Sequence, residues 1–243
     1  MTRPYVVLSC AMSLDGYLDS ATPQRLAMSN AADFDRVDQL RADSDAIMVG
    51  ASTVRRDGPR LLVRSADRRL LRLAAGKPVS PVKVTVTASG DLPPESPFFA
   101  EGEVEKLVYC ADDDASRIRG RLGGVATVAA LGARVRMADV VSDLGERGVG
   151  RLLVEGGGSL HTQFLVDQLA DELQLVIAPF FVGEPRAPRF VETGLFPWTA
   201  ARRATLADTR RIGDVVLMRY ALSDRFQAES HERTSVVGRS VRR

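Results

Sequence analysis

Short apolar runs, each about the length of a buried strand and separated by segments of helical period, limit most strictly what this chain can fold into. Nine such runs read as strands, at residues 5–12, 45–50, 82–87, 106–110, 125–130, 151–155, 172–178, 202–208 and 214–220. Their length suits strands rather than helices. Between them, Phe34, Val37 and Leu40 recur at helical spacing over 33–42, with Asn30 placed to cap the helix. Val140, Val141 and Leu144 do the same over 138–146, and Leu160, Phe164 and Leu165 over 158–168. A further helix is expected at 65–75, inside an excursion at 56–81 rich in arginine, proline and glycine. Strand–helix–strand alternation predicts an α/β fold whose mostly parallel central sheet carries helices on both faces. The last two runs are joined by Thr209-Arg210-Arg211-Ile212-Gly213-Asp214, short enough to predict an antiparallel C-terminal hairpin. One domain is expected over 1–221, followed by a polar, basic tail over 222–243.

Composition removes several function classes. Hydrophobic residues make up 45% of the chain, enough for a sizeable core, and 33 basic against 31 acidic side chains leave a formal charge of +2. So even a balance predicts neither a nucleic-acid partner nor a membrane surface, and no apolar stretch approaches the ~20 residues of a membrane span. Cys10 and Cys110 each lie in an apolar run and read as packing residues of a reducing, cytoplasmic protein. With only His161 and His231, neither a His/Cys metal site nor a Ser-His-Asp triad is expected. The single Gly-Lys pair, Gly76-Lys77, is followed by Pro78, which excludes a phosphate-binding P-loop.

Four strand ends remain, and together they describe a nucleotide crevice. Arg151-Leu152-Leu153-Val154-Glu155 runs into Gly156, Gly157, Gly158, Ser159 and Leu160, where a strand gives way to a helix. Free N–H groups and the helix dipole make that junction an anion cradle suited to a pyrophosphate. It departs from the usual dinucleotide fingerprint, because His161 stands where a small third glycine belongs. The run ending at Gly50 is followed by Ser52, Thr53, Arg55, Arg56 and Asp57, a second set of phosphate donors unless the hydroxyls merely cap the helix. The first strand ends at Met12 and turns through Asp15-Gly16, and the third ends at Thr87, Ala88 and Ser89.

These segments in this order resemble the reductase of riboflavin biosynthesis, a family with a dihydrofolate-reductase-like fold. The matching stretches are MSLDG (Met12 to Gly16), DAIMVGASTVRRDGPRL (Asp45 to Leu61), PVKVTVTASG (Pro81 to Gly90) and LLVEGGGSLHTQFLVDQLADELQLVIAP (Leu152 to Pro179). The resemblance implies an NADPH-dependent enzyme that converts the ribosyl group of a phosphoribosylaminopyrimidine to ribityl, working as a homodimer. It places the nicotinamide near Met12 and further cofactor contacts at Thr53 and Asp57. The 2′-phosphate falls near Thr87 to Ser89, with Arg55 and Arg56 as partners, and the pyrophosphate at Gly157 onward. Ser29, Asn30, Leu61, Arg64 and Glu155 are implied in substrate binding, Arg64 at the phosphate, with the Ser29-Asn30 pair matching the stand-alone reductases. Asp57 and Glu155 are the implied proton carriers. The pattern departs from the family at Asp57-Gly58-Pro59, where Asp-Asp-Pro is usual. Asp33 and Asp35 keep a pterin reductase open as an alternative, and a non-catalytic nucleotide-binding protein is a third.

Overall fold

A computed structural model describes residues 3–22 and 24–226. In chain order the elements are β1 (Tyr5–Ser13), α1 (Ala31–Asp43), β2 (Ala46–Gly50), α2 (Ala51–Asp57), α3 (Ala66–Ala74), β3 (Val82–Val86), α4 (Pro97–Ala100) and β4 (Lys106–Cys110). There follow α5 (Asp112–Leu122), β5 (Thr127–Ala130), α6 (Met137–Glu146), β6 (Arg151–Gly156), α7 (Gly158–Val166), β7 (Glu172–Ala178), β8 (Thr205–Ile212) and β9 (Val215–Ala221). One nine-stranded sheet has the order β5-β4-β3-β2-β6-β1-β7-β9-β8. Pairing is parallel from β5 through β7 and antiparallel at β7–β9 and β9–β8.

Strand periodicity sorts the core onto the two faces of this sheet. Val6, Leu8, Met48, Leu152 and Val154 pack with Val140, Val141 and Leu144 of α6 and Phe164 of α7. Their sequence neighbours Val7, Ile47, Val49 and Leu153 pack on the other side with Leu40, Val54, Ile118 and Leu122. Each fully buried side chain of this kind contributes about 1.5–3 kcal/mol, so both faces must be covered. Lys83 of β3 is buried too; its ammonium donates to the carbonyls of Phe98 and Glu101, at 2.9 and 2.6 Å, around α4.

The structure moves some sequence boundaries. The run expected at 202–208 is displaced to Thr205–Ile212, and the hairpin turn shrinks to Gly213-Asp214. Thr209 to Ile212 look polar because β8 is an edge strand, where outward charges are tolerated. The strand expected from 125 starts at Thr127, and α5 goes unpredicted because only Ala115, Ile118 and Leu122 of its residues are buried. In α1 the buried residues are Asp33, Asp38 and Leu40, whereas Phe34 is 45% exposed. Leu222 to Phe226, assigned to the tail, are tied to the domain: Leu222 N donates to Asp171 O and Ser223 Oγ to Asp171 Oδ1. The remainder of the predicted tail, 227–243, lies outside the described residues. Among the described residues no helix is long and apolar enough to cross a membrane.

Candidate active site

The strand order changes direction in the middle of the sheet. From β2 the chain steps outward through β3, β4 and β5, then returns to insert β6 between β2 and β1. Crevices at the carboxyl ends of strands around such a reversal are the usual ligand sites of open α/β sheets. Here β1, β2, β3 and β6 all run parallel, which puts Met12, Gly50, Thr87 and Glu155 toward the same edge. A cavity of about 620 Å³ opens there, floored by Ser9, Cys10 and Ala11 of β1, and walled by α1, α2, the 18–29 loop, the 57–64 segment and the start of α7.

Backbone chemistry builds one side of this cavity. Gly157, at φ 94°, is the N-cap residue of α7, and no side chain satisfies the first helical amides. A Cβ at Gly157 would come within 3.4 Å of Thr53 Oγ1, and one at Gly158 would collide with the carbonyl oxygen of Arg189. The positive φ of Gly157 and the carbonyl of Arg189 against Gly158 therefore keep side chains out of the start of α7. Ser52 and Thr53 both line the cavity, and neither caps α2, whose N-cap Gly50 makes no side-chain bond.

Charged side chains build the opposite side. Arg41, in the last turn of α1, donates from Nε and Nη2 to the two oxygens of Glu155, both at 2.7 Å. Burial opposes the Arg41 charge, and the Glu155 carboxylate overrides that, raising the guanidinium pKa. Arg36 pairs with Asp33 at 2.6 Å, while Arg56 pairs with Asp19 and Asp57 at 3.4 and 3.3 Å. Arg25 lies 3.8 Å from both Asp19 and Asp57. Arg64 is the exception: among the described residues no carboxylate lies within ion-pair distance of it, and its guanidinium stands 5.8 Å from the centre of the Phe34 ring. Leu61, beside it, holds φ 50° although only 2% exposed, a left-handed conformation unusual for a residue with a side chain.

Most of the sequence-predicted residues converge on this cavity: Ser29, Ser52, Thr53, Arg56, Asp57, Leu61, Arg64, Glu155, Gly157, Gly158 and Ser159 line it. Met12, Gly50, Gly156 and Leu160 do not line it, but each adjoins in the chain a residue that does: Ala11, Val49, Glu155 and Ser159. Thr87, Ala88 and Ser89 form a separate shelf beyond β2, where Thr87 Oγ1 accepts from Gly90 N at 2.9 Å. Arg55 reaches that shelf, donating to Asp91 O at 3.0 Å; Arg56 points instead toward Asp19 and Asp57. Asn30 is fully engaged elsewhere, since its Oδ1 caps α1 and its Nδ2 donates to Ile212 O and Asp214. Asp35 lies outside the cavity and pairs with Arg68, which leaves Asp33 alone of the two carboxylates proposed for a pterin. Sequence reading missed Arg41, Arg36, Asp19 and Arg25, which no motif marks. His161, next to the cradle, faces the interior against Phe190, and burial lowers its pKa from 6.5 to about 4.

An uncapped helix start, hydroxyls without hydrogen bonds and an arginine with no carboxylate partner among the described residues make this crevice of an open α/β protein a candidate site for phosphorylated ligands. Comparison with known proteins narrows this class. The sequence profile of the RibD C-terminal domain matches residues 4–218. The 2,5-diamino-6-ribosylamino-4(3H)-pyrimidinone 5′-phosphate reductase of Archaeoglobus fulgidus is 34% identical over 213 residues, spanning 87% of this chain and 95% of that protein. Its namesake from Methanothermobacter thermautotrophicus is 32% identical over 90% of this chain and 99% of its own. Among solved structures, a pyrimidine reductase-like protein of Corynebacterium diphtheriae superposes with a TM-score of 0.76 at 23% identity, covering 90% of this chain and 91% of that one. A Thermotoga maritima deaminase/reductase superposes at 0.73 with 21% identity, and there this chain spans only 56% of the larger one. The chain belongs to the RibD C-terminal domain family and is an oxidoreductase of the riboflavin-biosynthesis pyrimidine reductase type.

Proposed function

We propose that this chain reduces the ribosyl group of a ribosylaminopyrimidinone 5′-phosphate to ribityl, using NADPH. The observation that carries the reading is Arg64, the one cavity-lining arginine without a carboxylate partner among the described residues. A forked, unpaired guanidinium at the mouth of a cleft is suited to a phosphate monoester. Phe34 beneath it, with Val37, Leu26 and Met28, gives the same wall an apolar surface for a planar ring.

The residues present also fit a dinucleotide. The open amides of α7 and the hydroxyls of Ser52 and Thr53 suit a pyrophosphate, and Arg55 beside Ser89 suits a 2′-phosphate. When bound, the nicotinamide supplies hydride. The sugar must open to an imine, whose C1′ takes the hydride while its nitrogen takes a proton. For the chain itself the task is orientation and exclusion of water more than covalent catalysis. Glu155 accepts hydrogen bonds from the ribose hydroxyls, and Asp57 and Glu155, both lining the cavity, are the carboxylates assigned to the proton in this reading. A homodimer in the cytoplasm belongs to the same proposal, and light scattering tests the stoichiometry.

Turnover is tested by the loss of near-ultraviolet absorbance of NADPH with the diaminopyrimidinone phosphate, its deaminated uracil counterpart or dihydrofolate. Oxidation with a pyrimidine and not with dihydrofolate is expected. Turnover of dihydrofolate alone would establish the pterin reading, and no oxidation with any of the three would leave only nucleotide binding.

A further inference from the structure

We infer that Asp33 and Arg36 read the edge of the pyrimidine ring, and that they select the 2-amino-4-oxo ring over its deaminated dioxo counterpart. The inference rests on the reductase reading above and adds the specificity of the same cleft. Aspartate is rarely buried, and a carboxylate held away from water needs partners. Asp33 is only 2% exposed, yet it lines the cavity together with Phe34, Arg36 and Val37. Its Oδ2 accepts from Ser29 Oγ and its Oδ1 from Arg36 Nε, both at 2.6 Å. Its place in the first turn of α1 favours the negative charge. Arg36 is braced from behind: Nη1 donates to Gln174 Oε1 at 2.6 Å, and Gln174 Nε2 donates to Glu172 Oε1 at 2.7 Å. Glu172 in turn accepts from Arg219 Nε at 2.8 Å and from the Tyr5 hydroxyl at 3.1 Å. Glu172, Gln174 and Arg219 are all buried, so a chain of side chains from β9 and β7 holds Arg36 in place. Among the described residues Arg36 Nη2 makes no hydrogen bond. An ionised carboxylate offers roughly four acceptor positions, and only two of those on Asp33 are taken. The pair therefore keeps one donor and two acceptor positions for a ligand.

Ring chemistry decides what such a set can hold. In the amino ring the 4-oxygen accepts, while N3–H and the 2-amino group donate, so one edge reads acceptor, donor, donor. Deamination replaces the amino group by a second oxygen, and the edge becomes acceptor, donor, acceptor. Arg36 supplies the donor for the 4-oxygen of either ring, and Asp33 accepts from N3–H of either. Only the amino ring gives Asp33 a second donor; the dioxo ring sets an oxygen lone pair against the carboxylate. An acceptor left facing another acceptor loses its bond and is repelled. Sites built on polar partners accordingly discriminate far more sharply than apolar pockets do. With Arg64 at the phosphate and Phe34 and Val37 against the ring face, the ring edge falls to their neighbours on α1.

The unmodified protein provides the first test. Its kcat/KM for the diaminopyrimidinone phosphate should exceed that for the uracil counterpart about a hundredfold, the scale of a lost bond to a charged group. Equal values, or a preference for the uracil, would overturn the inference. In Asp33→Asn, whose amide can donate to the second oxygen, the ratio should shrink to within about tenfold, chiefly through loss of the amino substrate. An unchanged ratio in a variant that melts with the parent would place the selection elsewhere. Arg36→Lys should slow both substrates alike, because the 4-oxygen is common to them; a loss confined to one ring would contradict the assignment. Binding is read apart from turnover, by calorimetry of each pyrimidine on the unmodified protein without cofactor, and the same order of affinity is expected. That order without any NADPH oxidation would reject the reductase reading and keep the edge recognition. Oxidation of both pyrimidines at one rate and one affinity would do the reverse.

Discussion

The two sides of the cleft are made of different material. On the α7 side the cavity surface is backbone: Gly157 and Gly158, open amides, and hydroxyls from the neighbouring α2. Across the cavity the surface is a mesh of charged side chains from α1, α2, β6 and the loops, in which every lining arginine but Arg64 is paired with a carboxylate among the described residues. A backbone cradle is rigid and indifferent to what lies beyond the phosphates, which suits a cofactor shared by many enzymes. A side-chain mesh depends on each partner's reach, so it can discriminate among substrates and is more readily damaged one residue at a time.

Breaking the cradle should have the largest effect. Gly158→Ala drives a methyl group into Arg189 O, and a destabilisation of ~3 kcal/mol is expected, lowering Tm by about 6–12 °C with loss of NADPH binding. A variant melting within a degree of the parent would show the approach of α7 to that carbonyl to be loose. On the mesh side, Arg64→Ala should raise KM for the phosphorylated pyrimidine roughly 10–100-fold, the range for a lost charge-assisted bond. Its effect on the dephosphorylated compound should be small; equal losses on both would move the phosphate elsewhere.

Behind the cradle, His161 makes the region sensitive to acid. Its folded pKa, near 4, lies below the unfolded 6.5, so between those values the unfolded chain binds the extra proton. Stability therefore falls as pH drops through 6.5 toward 4, by about 2 kcal/mol between pH 7 and 5. Urea titrations of His161→Leu should lack that increment, and an identical pH dependence in both proteins would show the ring to be charged in place. The smallest effect concerns the shelf beyond β2. Arg55→Ala should raise KM for NADPH about tenfold and leave NADH unchanged, at ~1.4 kcal/mol for the lost contact. Arg56→Ala should alter both cofactors alike, because its partners are Asp19 and Asp57; a selective loss there would restore the role that its sequence position suggests.

The same contrast explains what could be read from the sequence. The parallel sheet, the hairpin and the glycine cradle were legible because each depends on residues adjacent in the chain. Strand periodicity, a glycine run and a following helix all speak within about ten residues. Arg41 and Glu155 stand 114 positions apart, and nothing local marks either as the other's partner. Residue type also misled in α1, where Phe34 resembles a core residue yet faces the cavity while Asp33 and Asp38 are buried, each held by arginine. Asn30 read correctly as a helix cap, and that role consumes the side chain the family resemblance assigned to substrate.

Direct transfer of isotope tests most plainly whether both sides serve one reaction. In a single turnover with NADPH deuterated at the transferable position of C4, run in ordinary water, mass spectrometry should find one deuterium on C1′ of the ribityl product. Product formed without deuterium, or deuterium lost to solvent, would mean that the cofactor and the pyrimidine do not meet in this cleft.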